Sequence, residues 1–96
     1  MAKLLLSQLA VENIDEILNN VYEFTGFPSS AQNLLNEFNK TLDLIAFMPN
    51  AIGRLREDGD REAFCRAYRI VYRQTGQDEI TVVTIIHSRR LYPRPY

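Results

Sequence analysis

YRIVYRQTGQDEITVVTIIHSRRLYP, residues 68–93, carries the densest β pattern of this 96-residue chain. Tyr68, Ile70 and Tyr72 alternate with Arg69, Val71 and Arg73, a period of two that sends the two sets to opposite faces of a strand. Phe64 and Cys65 precede them, so FCRAYRIVYRQ reads as one strand. TGQDE has the composition of a turn. Residues 80–86 are apolar on both faces apart from Thr81 and Thr84, which predicts an internal strand. Hairpin pairing then brings the Arg69 end of one strand beside the His87 end of the other. On the face away from any helices, Arg69 and Arg73 are expected to join Val83, Ile85 and His87.

Working back from this hairpin, NAIGRLREDGDREAF (residues 50–64) is polar, contains Gly53 and Gly59, and reads as a long loop. Before it come two amphipathic stripes. Ala31, Leu34, Leu35, Phe38, Leu42, Ile45 and Ala46 predict a helix that Pro49 ends, because the residue before a proline avoids the α region. Ser29 and Gln32 have capping-box spacing at its start. Val11, Ile14, Ile17, Leu18, Val21 and Tyr22 predict an earlier helix of about five turns, with Ser7 as N-cap and Gly26 as its stop. Glu12, Asn13, Asp15, Glu16, Asn19 and Asn20 fill its other, solvated face. Residues 3–6 are a short apolar segment suited to an edge strand. The order strand, helix, helix, then two or three strands predicts an α+β fold: an N-terminal strand and an antiparallel helical hairpin packed on a small, mostly antiparallel sheet.

The length suits one domain spanning 1–96. A hydrophobic content of 46% is ordinary for a chain that folds. The net charge of −1 conceals a division. Residues 1–48 hold two lysines and six acids; residues 49–96 hold nine arginines, six acids and no lysine. Exclusive use of arginine favours flat bidentate contacts with carboxylate or phosphate, and equally ion pairs within the fold. A protein built to cover a large RNA surface is strongly basic overall, and this chain is not. One histidine and one cysteine do not make a zinc site, no phosphate-cradling glycine loop is present, and no cofactor or metal is expected. Cys65 reads as a small buried hydrophobe. MAKLLLSQLA is too short in its apolar part for a secretory leader, and no segment approaches a membrane span, so a cytoplasmic location is expected.

Two chemistries are open to the residues around the last strand. In a nuclease, His87 or Tyr92 takes a proton from a 2′-hydroxyl while Arg69 and Arg73 stabilise phosphate charge. In a binding protein, Arg69, Arg73, His87, Arg89, Arg90, Tyr92 and the PRPY tail form a docking surface, arginine and tyrosine being enriched at interface hot spots. Against both stand plainer roles. A single strand-end histidine is more often structural, Arg69 and Arg73 can pair with acids of the loop or first helix, and Tyr68 and Tyr72 suit the edge of a core.

Tyr68-Arg69-Ile70-Val71-Tyr72, the turn, and the apolar strand ending in His87-Ser88-Arg89-Arg90 resemble the C-terminal half of RelE/ParE-type toxins of bacterial type II toxin–antitoxin modules. NIDEILNNVYEFTG resembles the first helix of that family. LLNEFNKTLDLIAFMPNAIGR resembles its second helix, with Pro49, Gly53 and Arg54 at the end. The resemblance covers nearly the whole chain and rests on the ordered set. It implies a small cytoplasmic toxin neutralised by a cognate antitoxin, touching DNA only through that antitoxin and no membrane. It also implies one of two targets: DNA gyrase, as for ParE-like members, or messenger RNA in the ribosomal A site, as for RelE-like endoribonucleases. Lys40 is the only lysine beyond position 3, and the tail IIHSRRLYP looks ParE-like, so gyrase inhibition is the first expectation. The ribosome-dependent nuclease is the alternative, and a member that is inactive or directed elsewhere stays open.

Overall fold

A computed structural model describes residues 2–89. The elements run β1 (Lys3–Leu6), α1 (Gln8–Thr25), α2 (Pro28–Phe47), α3 (Pro49–Ile52), β2 (Arg54–Leu55), β3 (Arg61–Cys65), β4 (Tyr68–Gly76) and β5 (Glu79–His87). The strands form one sheet in the order β1-β5-β4-β3-β2; β1 runs parallel to β5 and every other neighbour pair is antiparallel. The expected α+β architecture is therefore present, with β1 at an edge and β5 internal.

Helix α1 begins and ends as its sequence predicts. The Ser7 hydroxyl accepts from Ala10 N at 3.0 Å and itself donates to Val83 O at 2.7 Å, so one side chain caps the helix and ties it to β5. Gly26 closes the helix in the left-handed region (φ 74°), its N–H donating to Tyr22 O. The core lies between the helical hairpin and one face of the sheet. Ala10, Leu34, Phe38, Leu42 and Ile45 meet Ala63, Cys65, Ile70, Tyr72, Ile80, Val82 and Ile85 there. Val11 and Tyr22, counted in the α1 stripe, sit at its margins and are about half exposed.

Four expectations need correction. The Ser29–Gln32 capping box does not form. Pro28 occupies the first turn of α2, with Phe27 as an N-cap that makes no side-chain hydrogen bond, and Gln32 donates to Asn36 instead. A proline at this position presets φ and lacks the N–H that a cap would satisfy. Second, residues 50–64 are not a loop: they contain α3, β2 and β3. Third, FCRAYRIVYRQ is not one strand. It folds back at Arg66 and Ala67, with Cys65 paired to Tyr68 and Arg66 at φ 53°. Fourth, β5 has a bulge. Val71 pairs with Thr84 but Tyr72 pairs with Val82, which leaves Val83 as the extra residue. The bulge takes Val83 out of step with Ile85 and His87 and puts the latter two on the helix side.

β1 covers β5 only as far as Val82. Past that point α1 takes over the edge. Asn13 Oδ1 accepts from Ile85 N (3.1 Å) and from the Thr84 hydroxyl (2.6 Å), doing for the open strand edge what another strand would do.

Candidate functional site: the arginine cluster of the outer sheet face

The sheet face away from the hairpin carries the charge. Glu62 on β3 is only 1% exposed, yet it is charged, and three arginines make that possible. Arg54 Nη2 and Arg56 Nη1 donate to its two oxygens, and Arg69 Nη1 reaches the second of them at 3.3 Å. Burial alone pushes the Glu62 carboxyl up. The hydrogen bonds and charges of Arg54 and Arg56 outweigh that and hold it below the usual glutamate range. Arg56 shows the mirror image. Its own burial lowers its pKa, and the pairs with Glu62 and Asp58 more than restore it. The turn before β3 positions these groups: Arg56 N donates to Asp60 O, Gly59 N to Arg56 O, and Asp60 N to the Asp58 carboxylate. That last bond is the main reason the Asp58 carboxyl is also lowered.

Arg73, further along β4, reaches Asp60 at 2.9 Å. Arg69 and Arg73 thus pair with acids of the 50–64 segment, the plainer of the two roles their sequence allowed. Phe64, half exposed, is the cross-strand neighbour of Arg69 and lies 5.9 Å beneath the Arg54 guanidinium. An open cavity of ≈ 420 Å³ sits over the cluster, lined by Arg54, Leu55, Arg56, Glu62 and Arg69 together with Glu57 and Asp58.

His87 is elsewhere. It pairs with Tyr68 across the ladder, and its ring meets the Tyr68 ring edge-on at 5.7 Å between centroids; Tyr68 in turn meets Phe38 at 5.6 Å. Nδ1 accepts from Arg89 N at 3.2 Å. Tyr68 and Arg69 are consecutive on β4, so they point to opposite faces. His87 therefore shares the helix side with Tyr68, where it lines a small ≈ 170 Å³ cavity with Asn13, Glu16 and Asn20. The structure brings Arg69 and Arg73 onto one face, sets His87 on the other, and leaves Arg89 exposed just beyond β5. Arg90, Tyr92 and the PRPY tail lie outside the described residues.

Tyr72 and Cys65 are both core residues. The Tyr72 hydroxyl donates to Pro49 O at 2.8 Å, and burial raises its pKa. Gly53 is packed so closely on this ring that a Cβ there would collide with the phenol oxygen. Glu62, Arg56 and Asp60 in the cluster, and Asn13 beside His87, were not singled out from the sequence. Each sits in a polar stretch that resembles solvated surface, and the only trace of Glu62's role is the excess of arginines around it.

The chain matches the sequence profile of the ParE toxin of the type II toxin–antitoxin system, parDE, over residues 4–92. It belongs to the ParE toxin family. Among solved structures, this ParE-family chain is similar to a chain of the chromosomal ParDE toxin–antitoxin system from P. aeruginosa, with TM-score 0.80 and 21% identity over 91% of this chain and 96% of that one. It is also similar to a chain of the toxin–antitoxin complex RelBE2 from Mycobacterium tuberculosis, with TM-score 0.53 and 19% identity over 90% and 96%. At these identities the likeness carries the fold, and it spans the RelE/ParE type as a whole. No curated protein matches the chain significantly by sequence. No helix among the described residues is long and apolar enough to cross a membrane.

Proposed function

We propose that this ParE-family chain is a cytoplasmic toxin that arrests growth by inhibiting DNA gyrase and is held inactive by a cognate antitoxin. One observation supports this choice of target: among the described residues, His87 is separated by the sheet from the arginines it would have to work with in a nuclease. His87 is on the helix side against Tyr68, while Arg69 and Arg73 are on the outer face, engaged by Glu62 and Asp60. A general base must lie within hydrogen-bond reach of the proton it takes, with the charge-stabilising groups around the same phosphate. One phosphodiester does not touch both faces of a sheet. A protein target needs no such convergence. In this reading Arg89, Arg90 and Tyr92, where the chain leaves β5, form the docking surface, and the antitoxin covers Arg69, Arg73 and their neighbours.

Induction in bacteria with DNA and protein synthesis followed in parallel by pulse labelling tests the target. DNA synthesis falls first if gyrase is inhibited. An earlier fall in protein synthesis replaces this reading with ribosome-dependent mRNA cleavage. His87→Ala sharpens the comparison: a gyrase inhibitor keeps most of its potency, whereas a nuclease using His87 loses about 10²–10⁴-fold.

A further inference from the structure

Two donors of Arg69, Nε and Nη2, are enclosed and meet no acceptor among the described residues. They are not an arbitrary pair. Nη1 faces Glu62, and the Nε–H and Nη2–H bonds run side by side along the remaining edge of the guanidinium, the fork that matches the two oxygens of a carboxylate. A buried donor without an acceptor destabilises the free chain, so a ligand that supplies the missing acceptor recovers that loss on binding.

The surroundings define the ligand. Arg54, Arg56 and Arg69 converge on one buried carboxylate, and Asp58 balances only Arg56. Within the cavity lining the three arginines are matched by Glu57, Asp58 and Glu62, so what draws a ligand is the open edge of Arg69 rather than an excess of charge. The same cavity is lined by Glu57 and Asp58, which repel a chain of phosphates, and by the exposed apolar Leu55. Phe64, exposed and beside Arg69, extends the apolar surface. One anionic group flanked by apolar side chains fits this combination; a polyanion does not.

We propose that the cavity is the docking point for an acidic side chain of the antitoxin. The Asp or Glu carboxylate is held bidentately by Nε and Nη2 of Arg69, and neighbouring apolar side chains of the antitoxin rest on Leu55 and Phe64. This rests on the antitoxin reading above. Entry requires the side chains around Arg69 to part, and Arg54, 72% exposed, has the most freedom to do so.

The test uses the full chain, ¹⁵N-labelled at arginine, and the small protein encoded beside it. Binding of that protein to the wild-type chain is measured first, by fluorescence anisotropy. If it does not bind, the antitoxin reading fails and the inference falls with it. If it binds, Arg69→Lys keeps the charge and removes the fork, and affinity is expected to drop at least about tenfold. One Asp→Asn or Glu→Gln change in the antitoxin should produce the same loss, with little further loss when both changes are combined. Unchanged affinity of Arg69→Lys, or strict additivity with every acidic position of the antitoxin, overturns the inference and leaves the antitoxin reading intact. Should Arg69→Lys not fold, the wild-type Arg69 Nε–Hε resonance decides. It shifts downfield when the antitoxin is added, and the amide variant of the one contacting acid abolishes the shift. A resonance that stays put with the antitoxin, or that shifts only with a short single-stranded RNA, overturns the proposal.

Discussion

Glu62→Gln is the most direct probe of the outer face. The substitution preserves shape and leaves an amide oxygen to accept one hydrogen bond, but removes the charge on which three guanidinium groups converge. The arginines do not suffer equally. Arg54 is 72% exposed and returns to water, so its share is small. Arg56 keeps Asp58. Arg69, with its side chain only 12% exposed, is left as a buried cation without a charged partner among the described residues. Removing one partner of a buried pair costs roughly 3–5 kcal/mol. The remaining amide acceptor offsets part of this, giving about 2–4 kcal/mol at neutral pH. For a chain of this size that is a fall in Tm on the order of 10–25 °C. Thermal and urea unfolding of wild type, Glu62→Gln and the exposed control Glu57→Gln would measure it, the control being expected within about 0.5 kcal/mol of wild type. The pH dependence has a definite sign. The folded carboxyl titrates below its unfolded value of about 4.3, so its stabilisation is fully present above that pH. As pH falls further the unfolded chain takes up the proton first, and the gap between wild type and Glu62→Gln closes as pH passes through the folded value. A variant as stable as wild type at pH 7, or a gap that widens in acid, refutes the idea that Glu62 neutralises the cluster.

Three other substitutions test the frame that holds the site. Asn13→Ala removes the acceptor for Ile85 N and Thr84, and should cost about 1–3 kcal/mol in urea unfolding, with faster hydrogen exchange at the Ile85 amide than at Ile70. Gly53→Ala drives a methyl into the Tyr72 phenol and should lower stability by about 1–3 kcal/mol or more; a Tm within 1–2 °C of wild type, about the precision of the measurement, would mean that this contact yields easily. Ser7→Ala loses both the helix cap and the bond to Val83, with an expected cost of about 1–2 kcal/mol seen as a shift in the urea midpoint at unchanged slope.

The helices and the last hairpin were legible in the sequence because their signals are local. Apolar spacing, a serine before the first helix, a glycine after it and alternating β-branched residues each act within a few positions. What escaped depends on contacts made at a distance. β3 was hidden because Glu62 looks like loop chemistry until three arginines from two other segments are seen to neutralise it. The Arg66–Ala67 turn was hidden because its left-handed residue is an arginine, where sequence rules look for glycine or asparagine. The candidate site suffered most from one residue: the bulge at Val83 shifts the alternation of β5, and with it His87 changes sides. The pairing of Tyr68 with His87 was foreseen at the level of strand ends, while the face each side chain occupies was not. Arg69 was legible as a residue of interest, but the empty half of its guanidinium is visible only in three dimensions.

The parallel pairing of β1 with β5 has a bearing on synthesis. β1 takes its place in the sheet beside β5, and the Ser7 side chain that caps α1 makes its other bond to Val83, 76 positions later. Until β5 is free, Asn13 has no backbone to hold and the core lacks Ile80, Val82 and Ile85. A pairing of this kind postpones completion of the sheet until β5 has been made, because contacts this far apart in sequence form late. A product broken off before β5 therefore lacks the strand through which β1 joins the rest of the sheet.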